Sequence, residues 1–183
     1  MKLKVLFFLL LLPVSMMSFC QTGNGEEIIL DEAFLPDCGT LYVRSFHQIG
    51  KIKNLEMEVV EIKDPILVTQ KSFVRLTYYP IPSSRTLYYW ASLELQDLDN
   101  LITSLTYFNF NILPQRPEDY TEVIYRLEND FMVAAFADKN QNWKVVVKLT
   151  EDDASRCKID ATQLPLLIGY FSKAKKYIEE VDN

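Results

Sequence analysis

One histidine, His47, serves the whole chain of 183 residues, and three cysteines accompany it: Cys20, Cys38 and Cys157. A metal site of useful affinity gathers several His, Cys or carboxylate ligands, and one imidazole with distant thiols makes no recognisable spacing. Glycine is equally scarce. The five glycines are scattered, so there is no Gly-rich phosphate loop and no dinucleotide turn. No serine sits in a G-x-S-x-G elbow. Cations are in the minority, 19 Lys and Arg against 25 Asp and Glu. That balance argues against nucleic acid and anionic membrane surfaces as partners, since both need clustered Lys and Arg. Beyond residue 20 no apolar run approaches membrane-spanning length. Nothing in the pattern implies a cofactor.

The first residues carry the one long apolar run. Lys2 and Lys4 precede an unbroken stretch from Val5 to Leu12, closed by Pro13. This is the layout of a secretory signal peptide over residues 1–20. Ser18 and Cys20 place small residues at −3 and −1 of a cut before Gln21. The alternative is lipoprotein processing, with Cys20 as a lipidated first residue and the domain held on an outer membrane. Bulky Phe19 favours simple secretion, to the periplasm or the extracellular space. The cut would leave 163 residues with 17 Lys and Arg against 25 Asp and Glu, a net charge of −8. That length is one domain with a proper core, residues 38–183 behind a leader over 21–37.

Two cysteines would remain, Cys38 and Cys157. In an oxidising compartment they invite one disulfide closing a long loop, worth roughly 2–5 kcal/mol. The other reading is two buried thiols packed as small hydrophobes.

Period-two alternation marks strands. It runs through Leu55, Met57 and Val59, then Val74, Leu76 and Tyr78, then Leu87, Tyr89, Ala91 and Leu93. Leu98, Leu101, Ile102, Leu105 and Phe108 then follow a helical period, with Asp97 and Asp99 near the helix start. Asn109 to Pro117 reads as a connector. The second half repeats the sequence of events. Strands are expected around Val123 to Leu127, Phe131 to Ala137, Trp143 to Leu149 and Cys157 to Ile159. A helix follows with the stripe Leu164, Leu167, Ile168, Phe171, Ala174 and Ile178, and Thr162 is its expected cap. Asp160 stands 66 residues after Glu94, and at that offset Leu98, Leu101 and Ile102 meet Leu164, Leu167 and Ile168.

These features predict an α+β fold: a curved antiparallel sheet with two helices on one face, built as half-repeats over 38–110 and 118–183. In its layers alone it resembles the TATA-binding-protein type of architecture, which carries no implication of DNA binding. The S-F-C-Q junction, the G-T-L-Y-V segment from Gly39 and the strand-into-helix junctions also resemble small exported proteins of Bacteroidota-type bacteria. That resemblance implies export and no particular activity.

Three places hold side chains with chemical potential. Cys38 and His47, with Asp37 nearby, would make a thiol enzyme if the cysteine were free and activated. Asp138, Asn140 and Asn142 alternate like the start of a calcium loop, but Trp143 stands where its glycine belongs. The paired acids Asp31-Glu32, Asp152-Asp153 and Glu179-Glu180 are sequence neighbours, not acids facing across a cleft, and read as solvated surface. The most distinctive patch is aromatic: Tyr78-Tyr79-Pro80 leads through a hairpin to Tyr88-Tyr89-Trp90. Alternation puts Tyr88 and Trp90 opposite Ala91 and Leu93. With Tyr79 they would form a platform on an open sheet face for a glycan or a protein partner. The leading expectation is therefore a non-enzymatic binding or accessory module, and the alternative is the thiol enzyme.

Overall fold

The computed structural model describes residues 39–81, 86–137 and 142–182. The segments read as signal peptide and leader lie outside the described residues, with Cys20, Asp37 and Cys38, as do residues 82–85 and 138–141.

The protein is α+β. Strands β1 (Val43–Ile52), β2 (Leu55–Asp64), β3 (Thr69–Tyr78) and β4 (Tyr89–Leu93) lead into helix α1 (Leu95–Tyr107). Strands β5 (Thr121–Arg126), β6 (Met132–Ala137), β7 (Trp143–Lys148) and β8 (Arg156–Asp160) lead into helix α2 (Leu164–Val181). The strands divide into two four-stranded sheets, β1-β2-β3-β4 and β5-β6-β7-β8, and within each sheet neighbours in sequence are antiparallel neighbours in space. The order of four strands and a helix therefore occurs twice. Among the described residues no helix is long and apolar enough to cross a membrane.

The helix starts are built alike in the two halves. Asp97 accepts from the Glu94 main-chain N–H at 3.0 Å, and Gln163 accepts from the Asp160 N–H at 3.1 Å. Each completes a capping box that satisfies main-chain donors at a helix end. The second box opens a 3₁₀ turn, Ala161–Gln163, which runs into α2 with Pro165 in its first turn. Thr162, the expected cap, is exposed within that turn, so Asp160 takes the role instead. The expected connector after α1 begins later than Asn109, because a π-helical turn over Phe108–Ile112 extends the helix and buries Phe108.

One apolar core joins the two sheets and both helices. The inner positions Leu55, Met57, Val59, Val74 and Leu76 of the first sheet belong to the same cluster as Val133, Ala135, Val145 and Val147 of the second. Both helical stripes enter it. The helices pack on each other, and α2 also lies across β1, β2 and β3 of the opposite half. Its end is pinned there: Ser72 Oγ donates to Asp182 Oδ1 at 2.8 Å and Gln70 Nε2 to the Val181 carbonyl at 3.1 Å.

The approach of α2 to β1 depends on Gly50. A Cβ at this position would lie 2.3 Å from Cζ of the Tyr170 ring and 2.5 Å from Cε1. Gly50→Ala is therefore expected to cost about 1–3 kcal/mol by overpacking. Urea unfolding checks it, as a lower midpoint with an unchanged slope.

The second face of the first sheet is less open than its sequence pattern implies. Val60, Ile62 and Phe73 form a small cluster of their own there, with Tyr42 packed against it. Arg75 on that face is buried, held by Glu58 at 2.6 Å, with its guanidinium 4.9 Å from the Phe46 ring centroid. The strand period was right, but face exposure is decided by what packs on it.

Candidate binding cleft

The aromatic residues singled out by alternation come to lie at the junction of the two halves. β4 is the last strand of its sheet, so one of its edges has no neighbouring strand among the described residues. Along that edge runs a cleft of about 370 Å³, lined by Tyr88, Tyr89, Trp90 and Ala91 and by Asn129, Leu149 and Thr150 of the second half. Tyr88 and Trp90 are half-buried. Tyr79 does not line the cleft, but its ring sits 6.3 Å from that of Tyr88, tilted by 55°. The structure thus brings all three expected aromatics to one corner, two of them into the cleft itself.

Local chemistry fixes the walls. Ala91 and Leu93 are buried in the core, which turns Trp90 to the other face. Asn129 lies in the turn before β6, beside Asp130, whose φ of 65° is left-handed. Its side chain bridges the halves: Nδ2 donates to the Ser92 carbonyl at 2.8 Å, and Oδ1 accepts from the Phe131 N–H at 3.2 Å. Tyr89 Oη donates to Asp152 Oδ2 at 3.1 Å. Its pKa is raised by desolvation first and by that hydrogen bond second. Asn129, Leu149 and Thr150 were beyond sequence reasoning, because only the meeting of the two sheets sets them opposite β4. Asn129-Asp130 carried the one available signal, that of a turn.

The lining offers rings, one amide, three hydroxyls (Tyr88, Tyr89 and Thr150) and main-chain groups. Among its described lining residues none is a carboxylate, histidine, cysteine or lysine that could pair as base with a nucleophile. Among the described residues no three His, Cys, Asp or Glu side chains converge as a metal site.

His47 lies elsewhere, beneath the last turns of α2. Its Nε2 stands 2.9 Å from Oε1 of buried Glu61, off the line that a ring N–H bond needs. Its ring centroid is 4.8 Å from that of Tyr177. The same Glu61 oxygen accepts from Tyr177 Oη at 2.7 Å, and Oε2 pairs with Lys63 Nζ at 2.9 Å. Burial alone would raise the Glu61 pKa. Hydrogen bonds from Lys63 and Tyr177, with the charges of Lys63 and His47, outweigh it and hold the carboxyl below its ordinary range. Tyr177 is pushed up to about 12, by desolvation and then by its bond to Glu61.

Cys157 is a free thiol on the core side of β8, packed as a small hydrophobe. Burial pushes it up to about 11, with a small opposing effect of Lys53, so it is a poor nucleophile at neutral pH.

No protein family matches the chain, and no curated protein does.

Proposed function

We propose that this chain is an exported binding or accessory module without catalytic chemistry, and that its ligand, a glycan or a protein segment, seats on Tyr88 and Trp90 in the cleft between the halves. The observation that carries this reading is the convergence at β4. Half-exposed aromatic rings, an amide and hydroxyls line a concave site, and none of its described lining residues is a carboxylate, histidine, cysteine or lysine. Such sites bind by ring contact and a few placed hydrogen bonds. Export is supported by the charged start, the apolar run and the small residues before Gln21.

Arrays of oligosaccharides and of peptides, probed with the full chain and with Trp90→Ala, test the reading. The variant is expected to keep its circular dichroism spectrum and to lose about 2 kcal/mol of binding, roughly thirtyfold, as a central aromatic anchor does. Binding that survives Trp90→Ala, or a variant that unfolds, would sink this site.

A further inference from the structure

We propose that the free edge of β4 captures an extended peptide, which pairs as an added strand with the main chain of Trp90 and lays an apolar side chain beside the Trp90 ring. The proposal rests on the cleft being a binding site and names the class of its ligand.

Strand geometry fixes the direction of the main-chain groups of β4. In a strand, N–H and C=O of one residue point to the same side, and the side alternates from residue to residue. Just past β3, the Tyr79 N–H donates to the Asn54 carbonyl at 3.0 Å, toward β2. Tyr78, Leu76 and Val74 therefore turn their main-chain groups the other way, to β4, where they meet Tyr89, Ala91 and Leu93. The intervening Trp90 and Ser92 must then point away from the sheet. A second observation agrees: the Ser92 carbonyl is reached by Asn129 Nδ2 from the side away from β3. Trp90 N–H and C=O are thereby directed into the cleft.

A donor and an acceptor on one residue, facing one way, are what the narrow hydrogen-bonded pair of an antiparallel ladder requires. One residue of an incoming peptide satisfies both. Asn129 already plays that part at Ser92, its amide standing where an added strand would place an N–H. It also blocks further pairing toward Leu93, so the added strand ends there and extends toward Tyr88. The residue opposite Trp90 would put its side chain on the same face as the indole, at the usual cross-strand spacing of about 5 Å. None of the described lining residues of the cleft is charged, which favours an apolar or aromatic side chain there. Main-chain pairing would give affinity and the rings selectivity, as in other strand-addition sites.

The test uses the full chain carrying Trp143→Phe, so that Trp90 is the sole reporter of the two tryptophans. Blocked random heptapeptides are selected against it, and the best binder is remade with single main-chain N-methyl groups at each position in turn. Each is titrated by Trp90 fluorescence. Expected is an alternating profile. N-methylation of the residue opposite Trp90 weakens binding by about tenfold, the loss of one hydrogen bond with a steric block, while its two neighbours are nearly silent. A peptide that binds with a flat N-methyl profile, yet needs Trp90, overturns strand pairing and leaves the cleft standing. Oligosaccharides that bind where no peptide does have the same meaning. If neither class perturbs Trp90, the inference and the reading beneath it both fail.

Discussion

Phe171→Ala is expected to destabilise the entire chain by about 3–5 kcal/mol, and to do so in one cooperative transition. Phe171 is fully buried on α2 and meets Phe131 edge-on, with centroids 6.4 Å apart and planes at 83°. Removing it deletes a large transfer contribution and leaves a hole that fixed strands on both sides cannot collapse to fill. The cooperativity follows from the way the halves share their interior. α2 rests on β1, β2 and β3, and α1 touches β5, so neither sheet keeps its cover if the other half opens. The two tryptophans report on the two halves, Trp90 in β4 and Trp143 in β7. In urea, single-tryptophan variants of the Phe171→Ala protein should unfold at the same midpoint by either reporter and by circular dichroism. Separate midpoints would show that the halves are independent units and that the common core is not cooperative.

How far the sequence leads is clear from individual residues. The stripe Leu98, Leu101, Leu105 and Phe108 is buried, as is Leu164, Leu167, Phe171, Ala174 and Ile178, because a helical period against a polar background has one physical outcome. The alternation in β2 and β3 was legible for the same reason. The corner formed by Tyr79, Tyr88 and Trp90 was legible because alternation decides a face. The grouping of strands into two sheets was not, since local pattern gives strand and face but not the partner of an edge. Nor was the cover over Val60 and Phe73, for a continuous apolar stretch such as Val59-Val60 does not say which side is wet. The cap at Asp160 escaped because Thr162 is the better single-residue cap, and only the bond from the Asp160 N–H to Gln163 shows where the chain turns. Glu61 escaped altogether. It sits at an inward position of β2, where a carboxylate looks like an error of pattern until Tyr177 arrives from α2 and Lys63, two residues along the same strand, turns its ammonium back to it.

Glu61 carries the second large effect, and it depends on pH. Glu61→Ala is expected to cost about 2–3 kcal/mol at neutral pH, and Glu61→Gln less. The alanine strands the Tyr177 hydroxyl and leaves the Lys63 ammonium and the His47 ring facing an emptied position. The figure stays below that of a fully buried pair because Lys63 and His47 keep 48 % and 38 % of their side-chain surface in water. The sign in pH follows from the direction of the carboxyl shift. The folded state holds Glu61 below its ordinary pKa of 4.5. The unfolded chain therefore takes up the proton first as pH falls. The stabilisation by Glu61 is complete above that ordinary value and drains away as pH drops through the lower, folded value. The stability gap between the native protein and Glu61→Gln should accordingly be widest near neutrality and narrow as pH falls below the ordinary value of 4.5. At the alkaline end the Tyr177 contribution is complete below its ordinary pKa of 10.0 and is lost as pH rises toward about 12. Urea midpoints for the native protein, Glu61→Gln and Tyr177→Phe across both ranges separate the two ends. A Glu61→Gln gap that does not narrow as pH falls through the acid range would mean that the carboxylate charge contributes nothing, and that hydrogen bonding alone holds the end of α2 on the first sheet.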